Sequence, residues 1–266
     1  MMKLKYGVAL IPLLLAGVSY AQESADAPAA QEDSTATMGE VVVTAQFRTE
    51  SIQDIPIAVT AFGEEQLQNQ RITNALDLNN LAPSLRIGSG DAAANPKIFI
   101  RGVGLADFNP SSSAAVSMYV DGVLYGSPLS QMSGFYDLER IEVLRGPQGT
   151  LYGRNTTGGA INVVSRGPTD EFSYDASIDY GSYDRLNAQF GFGGPIIEDV
   201  LSYRIAGMVL QDSGYTLNRT TGNYVNDSDR WALRGQLRYT PNDDLEVNAM
   251  VSYFQNRGGA RQIKSR

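Results

Sequence analysis

From Phe172 to Tyr253 the chain alternates apolar and polar residues in run after run, and this period of two constrains its fold more than any other feature. Phe172, Tyr174, Ala176, Ile178 and Tyr180 alternate with Ser173, Asp175, Ser177 and Asp179. Leu186, Ala188, Phe190 and Phe192 alternate with Asn187, Gln189 and glycines. Leu201, Tyr203, Ile205 and Val209 share a face against Ser202 and Arg204. Trp231, Leu233, Leu237 and Tyr239 oppose Arg234, Gln236 and Arg238, and Leu245, Val247, Ala249, Val251 and Tyr253 oppose Glu246, Asn248 and Ser252. Successive side chains of a strand point to opposite faces, so each run carries one apolar and one polar face. Each run has the about 9–11 residues of a tilted membrane strand, and aromatic residues favour the run ends, as in interfacial girdles. The links 193–200 and 241–244 fall at one end of the strands, and 181–185 and 211–229 at the other. Short turns at the inner end and the longest loop at the outer end are the asymmetry of an outer-membrane barrel. A soluble β-sandwich would share the alternation without that parity.

The N-terminus predicts the compartment. Lys3 and Lys5 precede an apolar run from Tyr6 to Val18, and Ser19-Tyr20-Ala21 supplies small residues where a signal peptidase reads. Residues 1–21 read as a secretory signal peptide, cleaved after Ala21 and exported through the Sec pathway. The run is shorter than the about 20 apolar residues of a spanning helix. Gln22 to Met38 is rich in Ala, Glu, Asp, Ser, Thr and Pro and has little to bury, so a disordered leader is expected through residue 46. Within it, Glu40-Val41-Val42-Val43-Thr44-Ala45 favours extended backbone, and its flanks offer no obvious pairing strand. Such a segment can add to the sheet edge of another protein. It could also be the first strand of the domain that follows.

Residues 47–168 read as a small mixed α/β domain. Ile57 to Phe62 alternates as a strand, and a helix is expected from Gly63-Glu64-Glu65 through Leu67, Ile72, Leu76, Leu78 and Leu81 to Pro83. Short strands are expected at 85–88, 98–101, 116–120, 123–125, 141–144 and 160–165, with Asp121-Gly122 as a two-residue hairpin turn. The polar, Gly/Ser/Pro-rich loops 89–96, 105–115 and 126–134 are where binding is expected, on a rigid sheet. Asp107, Phe108, Asn109 and Tyr125, in or beside them, are candidate ligand contacts.

Composition excludes several chemistries. The 266 residues contain no Cys and no His, which removes thiolate metal sites, imidazole bases and the Ser–His triad. A net charge of −8 argues against a nucleic-acid partner. Gly146, Gly149 and Gly153 have neither dinucleotide nor P-loop spacing, and no nucleotide site, metal or cofactor is expected. The pairs Asp243/Asp244 and Glu139/Glu142 read as solvated charge rather than acid and base, and no enzymatic activity is expected.

Five motifs carry a family resemblance: Ile100-Arg101-Gly102, Val120-Asp121-Gly122, Glu139-Arg140-Ile141-Glu142-Val143-Leu144-Arg145-Gly146-Pro147, Leu151-Tyr152-Gly153 and Gly158-Gly159-Ala160-Ile161-Asn162-Val163. In their order and spacing they resemble the plug of the TonB-dependent outer-membrane receptors. The resemblance implies a mixed α/β plug domain followed by the first antiparallel strands of a transmembrane β-barrel. It implies that Glu40, Val41, Val42, Val43, Thr44 and Ala45 are a TonB box, gripped by the inner-membrane partner TonB. It further implies that Arg101 and Arg145 lock the plug to glutamates of the barrel wall. The implied function is active uptake, across the outer membrane of a Gram-negative bacterium, of a scarce nutrient such as a ferric siderophore or other iron complex. Residues 169–266 suffice for about five strands, whereas plugged transporters have roughly 22, so a fragment with an incomplete barrel is expected. The rival reading is a secreted or surface β-rich carbohydrate-binding protein or adhesin, which needs the strands but neither the plug motifs nor the valine box.

Overall fold

The computed structural model describes residues 42–43, 50–51, 57–89, 96–106, 113–131, 133–219 and 221–258. Strands β1 (Val42–Val43) and β2 (Glu50–Ser51) pair antiparallel, Val42 with Ser51 and Val43 with Glu50. This corrects the expectation that the valines have no pairing strand nearby. An open extended segment takes an available strand edge, and here one lies seven residues downstream.

The plug follows. Strand β3 (Ala58–Gly63) leads into helix α1 (Glu64–Asn69), a 3₁₀ helix (Ala75–Asn80), β4 (Leu85–Ser89), β5 (Pro96–Ile100) and β6 (Val103–Gly104). Then come β7 (Val116–Val120), β8 (Val123–Leu124), α2 (Pro128–Gln131), β9 (Leu138–Arg145), α3 (Gly149–Tyr152) and β10 (Gly159–Ser165). The main sheet has the order β3-β9-β10-β7-β8, with β10 and β7 parallel and the other neighbours antiparallel; β4, β5 and β6 form a second sheet. Ile141, Val143 and Ile161 of the main sheet pack with Leu78 of the 3₁₀ helix and Ile100 of the second sheet, all fully buried. Burying each such side chain contributes roughly 1.5–3 kcal/mol, and this cluster is the plug's core.

The single helix expected from Gly63 to Pro83 is two helices. Arg71 takes a left-handed φ of 52°, which ends the first. Asn74 starts the second with a capping box: its side chain accepts from Leu76 N at 2.9 Å, while Asp77 Oδ2 accepts from Asn74 N at 3.0 Å and Thr73 N at 2.8 Å. The hairpin at Asp121-Gly122 has φ of 49° and 78°, the left-handed pair that a two-residue β7–β8 turn requires.

After the plug, β11 (Ser173–Gly181), β12 (Arg185–Ile197) and β13 (Leu201–Asp212) run up and down. A small hairpin of β14 (Thr216–Leu217) and β15 (Tyr224–Val225) interrupts the long link before β16 (Ser228–Asn242) and β17 (Leu245–Asn256). The five long strands form one antiparallel meander, β11-β12-β13-β16-β17. The short links tighten to 198–200 and 243–244, because pairing runs beyond the apolar alternation at each strand end. Among the described residues no strand pairs with the outer edge of β11 or β17.

The two faces of this wall differ as the alternation requires. Trp231, Leu233, Leu237, Tyr239, Val247, Val251 and Tyr253 stand exposed on one face. On the other, Ser202, Arg204, Ala206, Met208, Leu210, Ala232 and Arg234 are buried. The polar face is covered by the plug, and the apolar face is left for lipid. No helix among the described residues is long and apolar enough to cross a membrane, so spanning falls to the strands.

Candidate functional site: the seam between plug and wall

The segment before β9 brings the plug to the wall. Phe135 N donates to Thr73 O at 2.8 Å, which anchors residues 133–137 beside the start of the 3₁₀ helix. Asp137 then turns with a φ of 50°, a conformation that Asp tolerates better than most residues. Its carbonyl accepts from Arg166 N at 3.0 Å, and its side chain, only 3% exposed, faces the wall.

Two wall arginines meet that one carboxylate. Arg204 of β13, with its side chain 1% exposed, donates from Nε to Oδ2 at 2.8 Å and from Nη2 to Oδ1 at 2.5 Å. The planar guanidinium thus holds the carboxylate by both oxygens, and its Nη1 donates to Ser173 Oγ of β11 at 3.2 Å. Arg234 of β16, 5% exposed, donates from Nη2 to Asp137 O at 3.0 Å, Asp137 Oδ2 at 3.3 Å and Tyr136 O at 3.4 Å. Its guanidinium carbon lies 4.7 Å from the centroid of the Tyr136 ring. Tyr136 also packs with Ala206, Met208, Leu210 and Ala232 of the wall, so an apolar patch surrounds the ion cluster. Burial pushes the Tyr136 hydroxyl above its ordinary range, while Arg234 draws it back.

Glycines make this approach possible. A Cβ on Gly191 of β12 would lie 2.6 Å from Asp137 Oδ1 and 3.0 Å from Arg204 Nη2. A Cβ on Gly134 would strike the Met208 side chain. Further ion pairs tie the plug to the wall nearby: Arg166 reaches both Glu64 of α1 and Asp175 of β11, and Arg238 of β16 reaches Asp170 in the link to β11. Between α1, residues 135–138 and strands β11 and β12 lies a cavity of about 330 Å³, lined in part by Glu64, Arg71, Asp175, Asp179, Asn187 and Gln189.

The arginines read as locks sit elsewhere. Arg101 is exposed with φ of 52°, and its Nη1 lies 3.8 Å from where a Cβ on Gly146 would be. Arg145 ends β9, and among the described residues its buried Nε has no hydrogen-bond partner. Among the described residues neither arginine has an ion-pair partner. Asp137 and Arg145 therefore stand at opposite ends of one strand, about 26 Å apart along eight residue steps.

Tyr125 is half-buried in the seam. Its carbonyl accepts from Gln131 Nε2 at 2.9 Å, and it lines a cavity of about 50 Å³ together with Tyr136, Arg234, Ser252 and Phe254. Burial raises its hydroxyl pKa, Asp121 raises it further, and Arg234 opposes both. Asp107, Phe108 and Asn109 lie outside the described residues, as do Glu40, Val41, Thr44 and Ala45 of the valine box.

One reading of a carboxylate is corrected. Glu142 is not solvated: it is fully buried in the plug sheet, accepting from Arg140 Nε at 2.8 Å and Asn162 Nδ2 at 3.1 Å. It shares the face of β9 on which Leu144 packs with Tyr152 of α3 and Tyr119, and that packing covers it. Asp243 and Asp244 do occupy an exposed turn. Sequence reasoning placed Arg204 and Arg234 on the polar faces of their strands but did not pair them. The signal was an arginine on the plug-facing side of a strand, where an unpaired charge is costly and a partner is required. Among the described residues no cluster of three or more acidic side chains is placed to hold a metal ion.

Residues 51–160 match the family described as TonB-dependent Receptor Plug Domain. The chain is 30% identical over 241 residues to the pesticin receptor of Yersinia pestis, an alignment covering 90% of this chain and 34% of that protein. It is 29% identical to the iron-regulated outer membrane virulence protein of Vibrio cholerae, covering 85% of this chain and 35% of that one. Among solved structures, the ferric yersiniabactin uptake receptor of Yersinia pestis superposes with a TM-score of 0.65 at 27% identity, over 74% of this chain and 31% of that one. The ferripyoverdine receptor of Pseudomonas aeruginosa superposes with a TM-score of 0.67 at 17% identity, over 81% of this chain and 27% of that one, a likeness of fold alone. The chain spans about a third of the length of the curated relatives it matches.

Proposed function

Because the chain belongs to the TonB-dependent outer-membrane receptor family, we propose that it serves the active uptake of a ferric siderophore or similar iron complex across the outer membrane of a Gram-negative bacterium. The observation that carries this reading is a folded plug seated on the polar face of an antiparallel sheet whose other face is apolar and exposed. A plug blocks a pore, so passage requires work on the plug. In this reading residues 40–45 receive that work: the inner-membrane partner, TonB, adds a strand to the valine segment and pulls. Backbone pairing suits the task, since a strand held by several hydrogen bonds loaded together resists force along its axis.

The proposal assigns the remaining parts as follows. Residues 1–21 direct export, 22–46 form the tether, 47–168 the plug, and 169–266 the wall. Arg101 and Arg145 engage carboxylates of the wall at the end of β9 away from Asp137. Asp107, Phe108 and Asn109 contact the ligand at the plug's apex, and Tyr125, buried in the seam, meets it only after the plug has shifted. The ferric yersiniabactin named for the structural relative at 27% identity supports a chelate cargo rather than a sugar.

The test is an in-frame deletion of residues 40–45 in the intact receptor, expressed in cells that depend on it for iron. Uptake of radioiron chelate is expected to fall to background while binding at the cell surface persists. Unchanged energised uptake would overturn the reading.

A further inference from the structure

The inward face of β16 carries more positive charge than a plug support needs. Arg230, Arg234 and Arg238 recur every four residues on that face, so they stand roughly 13 Å apart and run the length of the wall. Arg230 is in register with Leu210 and Asn256 at one end, and Arg238 with Ser202 and Asn248 at the other. Arg204 of β13 joins the column at its centre. We infer that this column is an anion track, which the carboxylates of Asp137 and Asp170 occupy at rest and a negatively charged chelate occupies during passage. The inference rests on the uptake reading above and adds the charge class of the cargo.

Three observations carry it. At the centre two buried guanidiniums share the single carboxylate of Asp137. The other inward residues near them on β13 and β17, namely Ser202, Ala206, Met208, Met250 and Ser252, bear no charge. Of the other carboxylates nearby, Asp175 is engaged by Arg166, Asp121 on the same small cavity as Arg234 accepts from Ser165 N at 2.8 Å and Ser165 Oγ at 2.6 Å, and Glu246 beyond the end of the column accepts from Asn248 at 2.6 Å. Second, among the described residues the buried Nε atoms of Arg234 and Arg238 have no acceptor. Buried donors are satisfied as a rule, so two left open on one column mark capacity for an oxyanion. Third, Arg234 borders the 50 Å³ cavity with Tyr125 and Tyr136, which leaves space beside the guanidinium.

Two carboxylates then act as stand-ins for the cargo. Asp137, immediately before β9 within the plug, fills the fork of Arg204, and Asp170, in the link to β11, meets Arg238 at the end of the column. Asp137 leaves the wall when the plug is drawn away. The guanidiniums, which keep their charge at any physiological pH, are then bared along the path. A ligand bearing carboxylate or catecholate groups can replace the lost contacts step by step, whereas a neutral one cannot.

Two measurements on the intact receptor test this. First, Asp137→Ala, purified in detergent, is heated with increasing sodium acetate, with sodium chloride as the control for ionic strength. The variant's Tm is expected several degrees below wild type and to recover with acetate, while wild type and Asp137→Ala/Arg204→Gln gain no more from acetate than from chloride. No acetate-specific recovery overturns the anion site. Asp137→Gly, which suits the left-handed φ of 50° and leaves the place of the carboxylate open, replaces the alanine variant if that one does not fold. Second, Arg230→Gln, outside the Asp137 cluster, is assayed with radioiron chelates of matched size and differing net charge. Uptake of negatively charged chelates is expected to fall about tenfold, the weight of one charged hydrogen bond, with neutral ones little changed. An equal fall for both, or none, overturns the track. If wild type imports no chelate under energised conditions, the uptake reading fails instead, and the acetate result alone decides the anion site.

Discussion

Gly191 sets how closely the wall can approach Asp137. With a Cβ at that position 2.6 Å from the carboxylate oxygen, either the strand or the ion cluster must move. Gly191→Ala is therefore expected to break the bidentate contact with Arg204, at a cost approaching the about 3–5 kcal/mol of losing one partner from a buried pair. Urea unfolding of the intact receptor checks it: the transition attributable to the plug should shift to lower urea, and an unchanged midpoint would show that the seam yields freely. Arginine geometry matters here as much as charge. Arg204 contacts both carboxylate oxygens and Ser173 at once, a pattern that a lysine's single ammonium cannot reproduce.

Within the plug, α3 is fixed to the sheet through aromatic contact. Tyr152 packs edge-on against Tyr119 of β7 with ring centroids 5.0 Å apart, and the Tyr119 hydroxyl donates to the Tyr152 carbonyl. Burial first, then the charge of Glu142, pushes the Tyr152 hydroxyl up from 10.0 to about 12. Below pH 10 it is neutral in both folded and unfolded chains, so its contribution to stability is whole. Between 10 and about 12 the unfolded chain ionises first, and that contribution is lost. Tyr152→Phe should flatten the fall in plug stability over this window, measured as Tm against pH beside wild type; parallel curves would contradict the assignment. How legible such elements are in sequence depends on how local their cause is. Asp121-Gly122 and the alternating wall strands could be read because turn and period are set by neighbouring residues. The α1 break was hidden, since the leucine spacing continues through Arg71 while the capping box at Asn74 restarts the chain. Glu142 and the Asp137 cluster were hidden for another reason: their partners lie 20, 67 and 97 residues away, and only the fold brings them together.

At the scale of the whole molecule the same two-residue period does two jobs. It turns apolar side chains of the wall outward and aims Arg204 and Arg234 at the plug, so the wall that meets lipid also grips the obstruction within it. The account stands on that grip being released during transport. Gly134 of the plug and Met208 of β13 touch across the seam without belonging to the ion cluster, and the chain has no cysteine of its own. Gly134→Cys/Met208→Cys can therefore tie plug to wall reversibly in the intact receptor, with formation of the bond followed on a non-reducing gel. Energised uptake of radioiron chelate is the measurement. The account predicts that the oxidised receptor binds ligand at the surface but imports none, and that reduction restores import; import at the wild-type rate with the bond in place would contradict it.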